Sequence, residues 1–207
     1  MRLLGQCFAA LLLCGTTYVC LLRIAEAKNE VAAGSGVFRL TEGHREEREA
    51  FDRLRRQLEI LQQTALSDRL EQLRAQGAIW VAPSLGPERW AVFVESLRLV
   101  RRIYIRRLAL VDPRAHLYQQ GEADVAPANQ EAFAWLSLGG ALRHELAHYD
   151  GLTDEAAAYE QELAWYEELR GSGFLASLHG GAREAWQWAL DSAVLSAHKA
   201  AEAAKAS

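Results

Sequence analysis

Cysteine is almost absent from this sequence, and its position limits what the chain can be. The three cysteines are Cys7, Cys14 and Cys20, and none follows them. Beyond the N-terminal segment the chain is therefore not a disulfide-bonded scaffold, and it has no thiol that could act as a nucleophile or a metal ligand. Any metal site in that part has to be built from histidine and carboxylate side chains.

The sequence also has no excess of positively charged residues. The formal net charge is -4, and because residues 1–27 carry two arginines and one glutamate, the remainder carries -5. Proteins that bind the phosphate backbone usually present a basic surface, so nucleic acid is not expected as a partner. The sequence has no internal repeat and no glycine-rich loop of the kind that binds phosphate.

The first 27 residues have the composition of a targeting segment. No charged residue lies between Arg2 and Arg23, so residues 3–22 form an uncharged and mostly apolar stretch. This length suits a signal peptide or a membrane anchor. Ala25-Glu26-Ala27 offers a small-x-small cleavage site before Lys28. The segment predicts that the following domain is exported, either released or tethered to a membrane through residues 3–22.

The residues that carry chemistry are concentrated in the stretch His144-Glu145-Leu146-Ala147-His148. The apolar run 132–143 before it predicts a helix, and residues four apart lie on the same face of a helix. His144 and His148 are therefore expected to bind one metal ion, with Glu145 beside it. A carboxylate at that place can take a proton from metal-bound water as the water attacks a carbonyl group.

Acidic residues follow the second histidine closely. Thr153 is expected to cap a new helix that has Asp154 and Glu155 in its first turn. Either acid is a candidate third metal ligand. Glu155 is slightly favoured, because Glu155, Tyr159 and Glu162 share one helical face. That face can carry a ligand, a hydroxyl group and an acid that supports the ligands.

Residues 130–168 resemble the zincin metallopeptidases. Read as HExxHxxGxxD, the motif consists of His144, Glu145, His148, Gly151 and Asp154, and it is similar to metzincins whose third ligand is aspartate. The only methionine is Met1, so the chain has no counterpart of the methionine turn that lies beneath the metal in that group. A gluzincin-like interpretation instead takes Glu155, on a second helix, as the third ligand.

The resemblance implies a zincin-like fold, a zinc ion, and hydrolysis of a peptide or protein substrate with Glu145 as general base. Tyr159, or Tyr149 beside the second histidine, is expected to donate a hydrogen bond to the oxyanion. In zincins an edge strand beside the active-site helix commonly holds an extended peptide by backbone pairing. Residues 103–111 are the candidate for that strand.

The rest of the chain predicts a mainly helical α+β domain with a small sheet. Residues 28–77 begin with a flexible stretch and continue into two amphipathic helices, in which large apolar residues recur every three or four positions. The zincin-like domain is predicted over residues 78–207. Its expected elements are a strand at 78–82, a helix at 89–100, a strand at 102–111 and long helices after residue 156.

A function of another class stays open. The chain could be a non-catalytic, envelope-associated helical module whose amphipathic segment, residues 45–73, binds a partner. His144 and His148 would then form a structural or vestigial metal site. Bound metal and an activity that is lost when Glu145 is replaced would indicate hydrolysis. Failure to bind metal would indicate the non-catalytic module.

Overall fold

The computed structural model describes residues 36–85, 89–96, 100–119 and 125–206. The signal peptide or anchor predicted over residues 1–27 lies outside them. The described chain is mostly helical with one mixed sheet of four strands, which confirms the predicted α+β class. The strands are β1 (Phe38–Arg39), β2 (Ile79–Ala82), β3 (Ala91–Ser96) and β4 (Val100–Arg106). The helices are α1 (Arg45–Ile60), α2 (Thr64–Ala75), α3 (Arg107–Val111), α4 (Pro113–Gln119), α5 (Pro127–Tyr149), α6 (Glu155–Gly171), α7 (Gly173–Ser177) and α8 (Gly180–Lys205).

The sheet has the strand order β1-β2-β4-β3. Strand β2 runs parallel to β4, whereas β1 pairs antiparallel with β2 and β3 pairs antiparallel with β4. Ile79, Val81 and Ile103 are fully buried where the sheet joins the main hydrophobic core. β3 is an edge strand of this sheet, and α5 packs beside it. Helix α5 and strand β3 therefore lie next to each other.

Two predictions for this region are wrong. The helix predicted over residues 89–100 is instead strand β3, in which Val92 and Val94 are buried in a small second cluster with Tyr104 of the neighbouring strand. An apolar run of this length suits either a helix or a strand, and pairing with β4 decides the outcome. The edge strand predicted over residues 103–111 is also wrong, because β4 lies inside the sheet and residues after it are helical.

The two amphipathic helices predicted before residue 77 are α1 and α2. Phe51, Leu54, Leu58, Leu70 and Leu73 on their apolar faces are at most 1% exposed. These residues belong to the same hydrophobic core as residues of α5, α6 and α8. Their apolar faces are therefore covered by other parts of this chain.

Helices α5, α6 and α8 pack against one another. Helix α5 is buried along much of its length, with Leu136, Leu138 and Leu142 fully inaccessible to solvent. Such a helix can hold its side chains in fixed orientations, because close packing leaves them few alternative rotamers. Among the described residues, no helix is long and apolar enough to span a membrane.

His116 of α4 is buried between the sheet and the helices. Its side chain is 0% exposed, and its ring meets that of Trp90 edge to face with 4.3 Å between the centroids. Burial, with the positive charge of Arg106 as a second cause, lowers the pKa of His116 to about 4. The imidazole is therefore neutral in the folded chain at pH values where an exposed histidine takes up a proton.

This difference predicts a dependence of stability on pH. As the pH falls below the ordinary histidine pKa of 6.5, the unfolded chain binds a proton at His116 before the folded chain does, so the folded state loses stability. We expect His116 to contribute a loss of about 2 kcal/mol between pH 7.5 and pH 5. Chemical denaturation with a chelator present should show a shallower pH slope for His116→Gln. The exposed His198→Gln is the control, and equal slopes for the parent and His116→Gln would refute the assignment.

Candidate metal centre

Two histidines meet on the face of α5 that is turned toward α6. His144 and His148 are one helical turn apart, and their Nε2 atoms lie 3.2 Å from each other. Leu142 and Leu146, on either side of His144 in the sequence, are buried in the core and hold this stretch of the helix in place. His144 is 6% exposed. The two imidazoles are thus presented by a buried, rigid helix, as the spacing predicts.

A sharp reversal of the chain brings Glu155 to the same point. Gly151 has a φ of 109°, a value that L side chains rarely adopt, and the Leu152 N–H donates to the Ala147 carbonyl at 3.0 Å. Helix α6 then begins at Glu155. Its two carboxylate oxygens lie 3.2 Å from the Nε2 of His144 and 3.1 Å from the Nε2 of His148. The glycine turn therefore completes a group of three donors that can hold a metal ion.

The separations in this group fit a small divalent cation. Zinc bonds to histidine nitrogen and carboxylate oxygen are near 2.0–2.2 Å, so tetrahedral ligands lie about 3.3 Å from one another. The His148 Nδ1 lies 2.7 Å from the Leu152 carbonyl oxygen, which can only accept. Nδ1 must therefore donate, which leaves the Nε2 lone pair of neutral His148 directed at the other donors. Acceptors brought this close repel one another unless a cation or a proton lies between them.

Asp154 does not belong to this group of three donors. Its Oδ1 accepts a hydrogen bond from the Ala157 N–H at 2.8 Å, so Asp154 and not Thr153 caps α6. A carboxylate is favourable there, since the first turn of a helix carries unpaired N–H groups. The structure brings Glu155, rather than Asp154, to the two histidines.

Glu162 of α6 lies behind His144, near its Nδ1 atom but beyond hydrogen-bond distance. Its Oε2 lies 3.7 Å from the His144 Nδ1, and its Oε1 lies 2.9 Å from the Tyr166 hydroxyl group. Burial raises the pKa of Glu162 to about 7, although the hydrogen bond from Tyr166 opposes this rise. Burial also lowers the pKa of His144. A carboxylate on the far side of a ligating imidazole orients the ring and strengthens it as a ligand.

Two adjacent glycines in α5 make room for the side chains of Tyr166 and Glu162. The sequence patterns do not single out these glycines. A Cβ atom at Gly140 would lie 1.9 Å from the Tyr166 hydroxyl oxygen and 2.7 Å from Oε1 of Glu162. At Gly139 it would lie 2.6 Å from the ring of Trp165. Only glycine lets α6 come this close to α5. The signal in the sequence is a Gly-Gly step inside an otherwise strong helix pattern.

The side chain of Glu145 extends from α5 toward strand β3 of the sheet. Its Oε2 accepts a hydrogen bond from the backbone N–H of Phe93 in β3 at 2.6 Å. Burial raises the pKa of Glu145 to about 8, and the hydrogen bond from Phe93 opposes this rise. A base with a raised pKa is well matched to accepting a proton near neutral pH. The contribution of Phe93 was not predictable from the motif, since the two residues are far apart in sequence.

The two tyrosines proposed as hydrogen-bond donors lie in different places. The ring of Tyr159 is 4.4 Å from that of His144, and Tyr159 lines the same cavity as Glu145. Burial raises the pKa of Tyr159, so its hydroxyl group keeps its proton. Tyr149 packs edge to face on Phe93 and lines another, smaller pocket with Trp80.

One cavity of about 720 Å³ contains the three metal-binding side chains together with Glu145, Tyr159 and Glu162. Its remaining wall comes from β3 and from apolar side chains that include Trp90, Leu117 and Phe133. A space of this size can admit a few residues of a peptide or a small molecule. The arrangement brings a candidate metal site, the buried carboxylate of Glu145 and the phenolic hydroxyl group of Tyr159 to the wall of one cleft.

Comparison of the chain with protein-family models, curated proteins and solved structures found no match. The resemblance to zincins therefore rests on the HExxH motif and on the geometry of His144, His148 and Glu155.

The geometry predicts which acid holds the metal. Glu155→Gln should weaken Zn²⁺ binding by more than about 100-fold, since the loss of a ligand exceeds the 10–100-fold cost typical of a supporting residue. Asp154→Asn is the matched control, because asparagine caps helices about as well as aspartate. Zn²⁺ affinities from competition with a chromophoric chelator provide the measurement. A greater loss in Asp154→Asn than in Glu155→Gln would reverse the assignment.

The close approach at Gly140 gives a second prediction. Gly140→Ala should destabilise the fold by about 1–3 kcal/mol through overpacking, despite the better helix propensity of alanine. Displacement of Glu162 should also weaken Zn²⁺ binding by about 10–100-fold. Gly181→Ala is the control, because a Cβ at Gly181 meets nothing within 4 Å. Equal stability and equal Zn²⁺ affinity in the two variants would show that the close packing is unimportant.

Proposed function

We propose that this chain is an exported zinc-dependent hydrolase that acts on peptide bonds. The observation that carries the proposal is the meeting of His144, His148 and Glu155 with the carboxylate of Glu145 on one cavity wall. Metal ligands alone would serve a structural site equally well. A fourth side chain beside them, a carboxylate that is not a ligand, is the feature that a hydrolase needs.

Zinc is the proposed metal because of the donor atoms. Two imidazole nitrogens and one carboxylate leave a fourth tetrahedral position for water or substrate, as in catalytic zinc sites. The Leu152 carbonyl accepts from the outer nitrogen of His148, the usual support for a zinc ligand, and the Glu162 carboxylate lies 3.7 Å from the outer nitrogen of His144. A zinc ion held there would supply a Lewis acid that polarises a carbonyl group and lowers the pKa of its water.

The roles of the remaining side chains follow from their positions. Glu145 takes a proton from the attacking water and later delivers it to the leaving amine nitrogen. The hydroxyl group of that water ends on the acyl carbon as the carbon–nitrogen bond breaks, so the products are an acid and an amine. Tyr159 keeps its proton and donates a hydrogen bond to the carbonyl oxygen as negative charge develops there. Burial and the nearby carboxylates favour this protonated form.

A peptide is the proposed substrate because of strand β3. The Phe93 N–H is directed toward α5, so the backbone groups of β3 that do not pair with β4 face the cavity. Ala91, two residues earlier, is directed the same way and also lines the cavity. An extended peptide that paired with this edge would run past the metal site. This role belongs to β3 rather than to the strand predicted from the sequence.

Export is part of the proposal through residues 1–27, which lie outside the described residues. Their uncharged run and small-x-small site support a signal peptide or an anchor. The proposal thus includes a location outside the cytoplasm, with residues 3–22 as the possible tether.

The non-catalytic binding module is less well supported. That function needs the apolar face of residues 45–73 to be available to a partner. Phe51, Leu58 and Leu70 on that face are buried in the domain's own core. A hydrolase accounts for the cavity and for Glu145, whereas the binding module accounts for neither.

The test of the proposed function is the variant Glu145→Gln. It should keep about one equivalent of zinc and lose at least about 100-fold in hydrolytic rate, because glutamine cannot accept the proton. Zinc is measured by elemental analysis of the purified full chain, and hydrolysis by mass spectrometry of new termini in a peptide mixture. Glu131→Gln, an exposed position on the same helix, is the matched control.

Activity retained in Glu145→Gln would remove the assigned role of this carboxylate. A folded chain that binds no zinc would reject the hydrolase as a whole. Zinc binding without hydrolysis of any peptide in the mixture would favour a structural metal site.

A further inference from the structure

One cationic side chain in the metal cavity has no role in the function proposed above. Arg89, two residues before the start of β3, is the only lysine or arginine among the described residues that line this cavity. It is exposed, and it makes no hydrogen bond or ion pair with the described residues. Other arginines of the chain do pair, such as Arg107 with Glu47 and Arg170 with Asp191. A guanidinium group directed into a cleft is available to a ligand.

The position of Arg89 relates it to the reacting groups. It lines the same cavity as Glu145 and Tyr159. Burial raises the pKa of both groups, and the positive charge of Arg89 opposes that rise. Arg89 is not close enough to either to form an ion pair or a hydrogen bond. Arg89 and the three candidate metal ligands therefore line one cavity, and Arg89 is not paired with Glu145.

Apolar side chains line part of the cavity that contains Arg89, together with the polar side chains of Ser137 and Ser196. Trp90 follows Arg89 directly and is 8% exposed, and Leu117 and Phe133 line the same cavity. Ala193 adds a further small apolar surface. A ligand seated in this cavity would meet one positive charge and also a surface that favours an apolar side chain. A C-terminal residue with an apolar side chain and a free α-carboxylate has this combination.

We propose that Arg89 binds the C-terminal carboxylate of the substrate, so that the chain removes apolar residues from the C-terminal ends of peptides. This inference rests on the proposed function, because it places the carboxylate one residue beyond the bond that is cleaved. The planar guanidinium donates two parallel hydrogen bonds to a carboxylate, an interaction that an amide cannot reproduce. Arg89 sets the specificity, while Glu145 and the metal ligands carry the chemistry.

Binding to a chain that cannot turn over tests this proposal. The zinc-loaded full chain with Glu145→Gln is titrated calorimetrically with N-acetyl-alanyl-phenylalanine and with the amide of the same peptide. The free acid should bind about 10- to 100-fold more tightly than the amide, the range expected of a charge-assisted pair. Adding Arg89→Gln should remove the difference, and Arg89→Lys should restore part of it. Arg183→Gln, at an exposed position of α8 outside the cavity, should leave the difference unchanged.

A third peptide distinguishes recognition of a C-terminal carboxylate from recognition of a side-chain carboxylate. N-acetyl-glutamyl-phenylalaninamide carries its charge only on a side chain. If Arg89→Gln weakened this peptide and not the free acid, the C-terminal assignment would be overturned. Equal affinity for the acid and the amide in the Glu145→Gln chain that retains Arg89 would overturn the proposal as well. So would failure of that chain to bind either peptide.

Kinetics of the chain with Glu145 intact give an independent readout. Arg89→Gln should raise KM for the free acid and leave kcat largely unchanged, because an interaction equal in ground and transition states affects binding alone. An equal fall of kcat on acid and amide would instead place Arg89 at the reacting carbonyl and reject the proposal. The zinc content reports separately on the proposed function, since Arg89 is not a ligand and its substitution should leave one equivalent bound.

Discussion

The structure around the candidate site depends on one electrostatic constraint. The Nε2 atoms of His144 and His148 and the carboxylate of Glu155 lie 3.1–3.2 Å apart. Neutral His148 and the Glu155 carboxylate both present lone pairs to this point. Such a group is unfavourable without a positive charge at its centre, which protons supply in part and a divalent cation supplies fully. A cation bound there would therefore tie α5 to the start of α6. Binding free energy at this site becomes folding free energy for the junction between the two helices.

Close packing of those helices supplies the rest of the site. Gly139 and Gly140 remove the side chains that would separate α5 from Trp165 and Tyr166 of α6. The same approach carries Glu162 to the outer nitrogen of His144. A single feature of α5, the absence of two Cβ atoms, thus affects both the stability of the core and the orientation of a metal ligand. Buried sites often combine these two needs, because a ligand is held only as precisely as the residues behind it.

The parts of the site that follow from local geometry were predictable from the sequence. The two histidines and Glu145 follow from helical spacing, and Glu155, Tyr159 and Glu162 share a face at the same spacing. What the sequence did not predict depends on contacts between distant segments. Val92 and Val94 form a strand only because β4 is there to pair with them, so the helix predicted over residues 89–100 was wrong. The places of Phe93 and Arg89 beside the cavity depend on that strand.

The hydrogen bond between Phe93 and Glu145 shows how the sheet and the motif act together. Burial favours the neutral form of Glu145, whereas the Phe93 N–H favours the charged form. The balance raises the pKa of Glu145 to about 8, so this side chain exchanges its proton at a pH slightly above neutral. The N–H also belongs to the edge that a peptide would approach, so it is already engaged and cannot pair with a substrate. A peptide on β3 must therefore use the backbone groups on either side of Phe93, and this sets its position relative to Glu145 before any side chain is recognised.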